Sequence, residues 1–112
     1  MQPKEPAKAL GHRARQKYLT FARQVTSDID MDYSMLYQRF AENDWAAIQL
    51  DRAVAIAALK GNLLPKDIVC LIHQGPYIQY QVHIKQLSVL TMSQYARSIV
   101  LQVMILIGKH KE

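Results

Sequence analysis

The chain has 112 residues, half of them apolar, and 14 Lys/Arg against 9 Asp/Glu give a formal net charge of +5. That is material for one compact domain with one core, which excludes a catalytic pocket between two domains. A single cysteine, Cys70, excludes an intrachain disulfide, and no apolar stretch follows the charges of Met1-Gln2-Pro3-Lys4-Glu5-Pro6, so a soluble, cytoplasmic protein is expected.

Residues 1–8 read as a flexible basic arm. Leu10, Ala14, Tyr18, Phe21 and Val25 then fall on one stripe at helical spacing, with Arg13, Lys17, Thr20 and Gln24 on the other side, which predicts a first helix from Ala9 to Ser27. Asp28-Ile29-Asp30-Met31-Asp32 is a break rich in capping residues, followed by a short helix with a stripe of Tyr33, Leu36, Tyr37 and Phe40. From Asp44 to Lys60 small apolar residues lie on several faces, so neighbours can approach from more than one side and this segment is the expected central helix. Gly61 is the expected left-handed stop, and Pro65 suits the first turn of a helix to His73.

Gln74-Gly75-Pro76 is a turn by composition. Beyond it, Ile78, Tyr80, Val82 and Ile84 alternate with Gln79, Gln81, His83 and Lys85, the period of a half-buried strand. A lone strand has no partner, so a short helix or an extended crossover is the better reading of 77–90. Thr91-Met92-Ser93-Gln94 fits a capping box opening a last helix, with a core stripe of Tyr95, Ala96, Ile99, Val103, Leu106 and Ile107 and a stop near Gly108. Its apolar tract, Ile99 to Ile107 around Gln102, falls short of the roughly 20 residues of a membrane span, so no membrane association is expected. The sum is an all-α fold: a compact bundle of four to five helices around the Ala-rich helix 45–60, one domain over 9–108 and a tail at 109–112.

Charge is laid out in three blocks. Met1 to Val25 carries Lys4, Lys8, Arg13, Arg15, Lys17 and Arg23 against Glu5; Thr26 to Asp51 carries six acids against Arg39; the remainder is again basic. These blocks either neutralise one another inside the fold or leave a basic face for an anionic partner.

The search for chemistry is largely negative. There is no Gly-rich phosphate loop, no paired-cysteine spacing and no His-Glu helix motif. His12, His73, His83 and His110 are scattered, Cys70 between Val69 and Leu71 reads as inert packing, and Asp28, Asp30 and Asp32 lack the glycine and distal glutamate of a calcium loop. No enzyme, metal or cofactor is expected. Most aromatics, Trp45 among them, lie on predicted buried stripes; Tyr77 and Tyr80, after the Gly-Pro turn, are the ones expected at the surface.

The pattern Asp51-x-Ala53-x-Ala55, Leu59-x-Gly61, Ile68, Ile72, Pro76 and then Tyr95-Ala96-Arg97 before Ile99-Val100 resembles the small helical module within primase- and relaxase-type replication and mobilisation proteins of plasmids and phages. The likeness covers Asp44 to Val100; the chain departs from it in lacking an attached catalytic domain and in a longer 77–90 connection. It implies an accessory role at nucleic acid without chemistry of its own, with Asp51 and Arg97 as a structural pair.

Two functional readings follow. In the first, the chain is a non-catalytic interaction or assembly module that forms a homodimer, because Leu101 and Ile105 lie opposite the core stripe of the last helix and a helix apolar all round is either central or covered by another chain. In the second, Arg13, Arg15, Lys17 and Arg23 contact phosphates of DNA or RNA with little sequence specificity.

Overall fold

Asp32 shows how local chemistry starts a helix here: its carboxylate accepts from the Met35 backbone N–H at 2.9 Å, satisfying a donor that the first turn would otherwise leave bare. The computed structural model describes residues 7–108; residues 1–6 of the expected 1–8 arm and the tail 109–112 lie outside the described residues, while Ala7 and Lys8, expected in the arm, belong to the first helix. Among those described there are six helices and no strand: α1 (Ala7–Thr26), α2 (Tyr33–Phe40), α3 (Asp44–Lys60), α4 (Pro65–His73), α5 (Pro76–His83) and α6 (Val89–Gly108). The all-helical class agrees with the sequence reading, whereas the number of helices exceeds the four or five expected because 76–83 forms a helix of its own.

Helix α3 packs against each of the other five helices. Its alanines make this possible: Ala47, Ala55 and Ala58 are wholly buried, and with so little side chain between axes the neighbours come close. Leu50 and Val54 add bulk on the same helix, and Leu36, Ile68, Leu71, Ile72, Ile78, Ile99 and Val103 close the core around it. Arg52 on α3 donates to the Gln102 side-chain oxygen on α6 at 3.2 Å, a surface tie over the same contact.

Three helices end on left-handed residues that are not glycine. Ser27, Asn62 and Gln86 have φ of 59°, 69° and 58°. Gly61, the expected left-handed stop, instead has φ of −84°, and Asn62 takes that conformation one residue later. The Leu63 N–H then reaches the Ala58 carbonyl at 3.0 Å and the Asn62 N–H the Leu59 carbonyl at 2.9 Å, the paired bonds of a Schellman closure. The asparagine tolerates φ above zero because its short amide bonds locally.

Several expected positions shift. On α1 the buried residues are Tyr18, Leu19 and Ala22, with Ala14 and Phe21 half-buried and Val25 exposed, so the buried stripe is turned by about one residue from the expected one. Helix α6 begins at Val89 rather than at a Thr91 box; Ser88 Oγ accepts from the Thr91 N–H at 3.0 Å and is the cap. Leu106, expected in the core, is exposed. The 20 residues of α6 are, by length and composition, apolar enough to cross a membrane, contrary to the expected shortfall, yet Met92, Ala96, Ile99, Val100 and Val103 are buried against the bundle.

Candidate functional site

The outward face of α6 follows from its spacing. Arg97, Leu101, Met104 and Ile105 recur at intervals of three and four, so they share one side of the helix while Ala96, Ile99, Val100 and Val103 face the core. Leu101 is 58% exposed and Ile105 54%, with Met104 and Leu106 also at the surface. Between this face and α4 lies an open groove of about 570 Å³ whose apolar walls are Pro65, Val69, Val100, Leu101 and Met104. Lys66 and Arg97 complete its lining, which includes no carboxylate. Ile84, Leu87, Val89 and Leu90 are exposed where α5 hands over to α6.

At the other end of α3 stands Trp45. Expected in the core, it is 73% exposed, because it lies on the face of α3 opposite the buried row Ala47, Leu50, Val54 and Ala58. It borders a shallow depression that includes Val25, Phe40 and Leu50, and its sequence neighbours Glu42 and Asp44 are exposed acids.

The four basic residues of α1 divide. Lys17 is exposed, and Arg13 is exposed on the same face. Arg15 is half-buried, its guanidinium 4.4 Å from the centre of the Tyr33 ring and donating to the Gln79 side-chain oxygen at 3.2 Å. Arg23 Nε donates to the Met31 carbonyl at 2.7 Å and fastens the break after α1. Neither Arg15 nor Arg23 therefore projects its charge from the α1 surface alone.

The feature that sequence reasoning missed is Asp51. It is fully buried on α3, and its two oxygens each accept a phenol: Tyr18 from α1 at 2.6 Å and Tyr95 from α6 at 2.6 Å. Burial pushes its carboxyl up to about 7, against the lowering effect of the two donors. Burial and then the Asp51 charge raise the Tyr18 and Tyr95 phenols in turn. The α4–α5 turn closes over this cluster so tightly that a Cβ on Gly75 would sit 2.7 Å from Tyr18 Cε2 and 2.8 Å from Asp51 Oδ1. Arg97, the partner implied by the resemblance, is exposed; the groups that bond Asp51 are the tyrosines. No sequence signal marked the cluster, since its members stand 33 and 44 positions apart.

Tyr77 and Tyr80 are half-buried rather than exposed: Tyr77 packs on Tyr95 with ring centres 4.6 Å apart, and Tyr80 approaches Tyr37 at 6.4 Å. Cys70, expected as inert packing, is exposed on α4. His73 Nε2 lies 3.0 Å from Ser93 Oγ, an arrangement that pairs a hydroxyl with a base. Burial, and then the charge of Arg97, lower the His73 imidazole from its ordinary range. No carboxylate bonds its other nitrogen among the described residues, so the orienting group of an activated nucleophile is lacking there and the pair serves to tie α4 to α6. Among the described residues no three His, Cys, Asp or Glu side chains converge as metal ligands.

No family model matches the chain, and neither a curated protein nor a solved structure does so.

Proposed function

We propose that this protein is a non-catalytic helical assembly module that associates with a second copy of itself through the outward face of α6. The observation that carries the reading is the row Leu101, Met104 and Ile105, exposed on one side of a helix whose other side is locked into the core. Isolated apolar side chains at a surface need no explanation, but a contiguous row beside an apolar groove marks an interaction surface. Burying the exposed half of two or three such side chains against another chain contributes about 1 kcal/mol each before the costs of association. Sedimentation of the purified chain tests it: self-association at micromolar concentration is expected, and a monomer throughout refutes it.

A second reading, an accessory nucleic-acid-binding module of a replication or mobilisation system, draws on the resemblance over Asp44 to Val100 and on the exposed Lys17, which shares a face of α1 with Arg13. It has less support than the first, because Arg15 and Arg23 are engaged within the fold.

A further inference from the structure

Two unlike surfaces stand without a partner, and their chemistry is complementary. The α4–α6 groove has apolar walls and two cations, Lys66 and Arg97, with no carboxylate in its lining. Its volume of about 570 Å³ falls within the roughly 300–1,000 Å³ of pockets that take small-molecule ligands, so it admits a large aromatic side chain. The second surface is Trp45, 73% exposed, flanked by the exposed acids Glu42 and Asp44, which outnumber the one exposed cation nearby, Arg39, whose guanidinium lies over the Phe40 ring of the same depression.

One chain cannot join its own two halves. Trp45 lies in the first turn of α3, while Pro65 and Lys66 follow the far end of that helix. A helix of 17 residues is about 25 Å long. The indole and the groove are therefore held apart by the most buried helix of the fold.

We infer that Trp45 of one copy docks in the α4–α6 groove of a second copy, with Glu42 and Asp44 set against Lys66 and Arg97. This rests on the self-association reading above and names the surface that meets α6. Tryptophan is the side chain that most often anchors an interface when it fills a pocket, and opposite charges around it exclude the reversed pairing and steer encounter. If two copies exchange the contact reciprocally, a closed twofold dimer results; if each copy uses its two surfaces on different neighbours, copies add head to tail and assembly grows with concentration.

Trp45 is the only tryptophan of the chain, so its emission reports the contact directly. As wild-type concentration rises, the emission shifts to the blue in step with the increase in sedimenting mass, and added salt reverses both by screening the charge pairs. Trp45→Ala and Leu101→Asp, each checked for helical content by circular dichroism, stay monomeric alone. Mixed, they form a one-to-one pair, since the first retains a groove and the second an indole, and the emission of the second shifts to the blue. A wild type that associates without a shift, with Trp45→Ala associating equally well, overturns the inference and leaves α6 meeting α6 instead. A wild type that is monomeric at all concentrations overturns the inference together with the self-association reading and assigns the groove to a different partner. Failure of the two variants to pair, when each is folded and the wild type associates, also overturns it.

Discussion

Tyr18 donates to Asp51 across 2.6 Å with both side chains wholly buried, joining α1 to α3 through a carboxylate that has no cation beside it. A carboxyl group buried in this way is sustained by its hydrogen bonds, and the second phenol, Tyr95, is what leaves neither oxygen bare. The cluster sits under the α4–α5 turn at Gly75, so three parts of the chain depend on one side chain.

Asp51 makes stability depend on pH in an unusual direction. Its carboxyl, raised from 3.8 to about 7 in the folded chain, holds a proton there that the unfolded chain releases. The contribution to stability is thus complete below about pH 4, is lost as pH rises to about 7 and is flat above it, amounting to a few kcal/mol at about 1.4 kcal/mol per unit. Urea unfolding of the wild type and of Asp51→Asn at pH 5 and pH 8 checks this: the wild type loses stability relative to the variant between the two, and parallel behaviour refutes it.

Gly75→Ala is expected to destabilise the fold by about 1–3 kcal/mol, as overpacking of a filled site does. The backbone there has φ of −71°, which alanine accepts, so the penalty comes from the Cβ meeting Tyr18 and Asp51 and not from strain. An unchanged denaturation midpoint would show that the turn gives way freely.

Arg23→Gln and Lys17→Gln remove the same charge but differ in consequence. Arg23 bonds the Met31 carbonyl, and losing that bond costs about 1–2 kcal/mol, whereas the exposed Lys17 bonds no side chain or backbone group among the described residues and its loss leaves the melting temperature unchanged. Equal thermal stability of the two variants contradicts this assignment.

The same pair tests the nucleic-acid reading. If α1 contacts phosphates, fluorescence anisotropy at low salt detects binding of any DNA or RNA sequence, and Lys17→Gln lowers the logarithmic salt slope by about one unit. No binding by the wild type removes that reading.

Leu101→Asp combined with Ile105→Asp is expected to give a folded monomer, since both side chains are more than half exposed and no core contact is lost. Unfolding of the double variant, seen by circular dichroism, would place the two residues inside the core.

Much of the helical order was legible because it is local. Pro65–His73 matches its expected bounds, and the α3 segment was expected within one residue, since a proline at the first turn and a run of small apolar residues ending before Gly61 act at their own positions. Helix α5 was legible only in part: a short helix is one of the two readings of 77–90 and Pro76–His83 forms one, but the alternation of Ile78, Tyr80, Val82 and Ile84 marks no helical face, and the fold buries Ile78 with Gln81, three positions on, while Ile84 is exposed. Trp45 misled for the opposite reason, being apolar in an apolar helix yet on the face opposite the buried Ala47, Leu50, Val54 and Ala58. Asp51 was marked only through the resemblance, with Arg97 as its implied partner, because only the folded chain brings Tyr18 and Tyr95 to it.

The bond from Tyr95 to Asp51 also bears on the order in which the molecule is made. During synthesis Asp51 emerges after Tyr18 but well before Tyr95, so for that interval α3 carries a carboxylate whose burial is only half compensated. Closure around Asp51 is therefore expected to be complete only once α6 has docked. If that docking is the committing step, Tyr95→Phe chiefly slows folding, and an effect confined to the unfolding rate shows that the bond forms after the barrier.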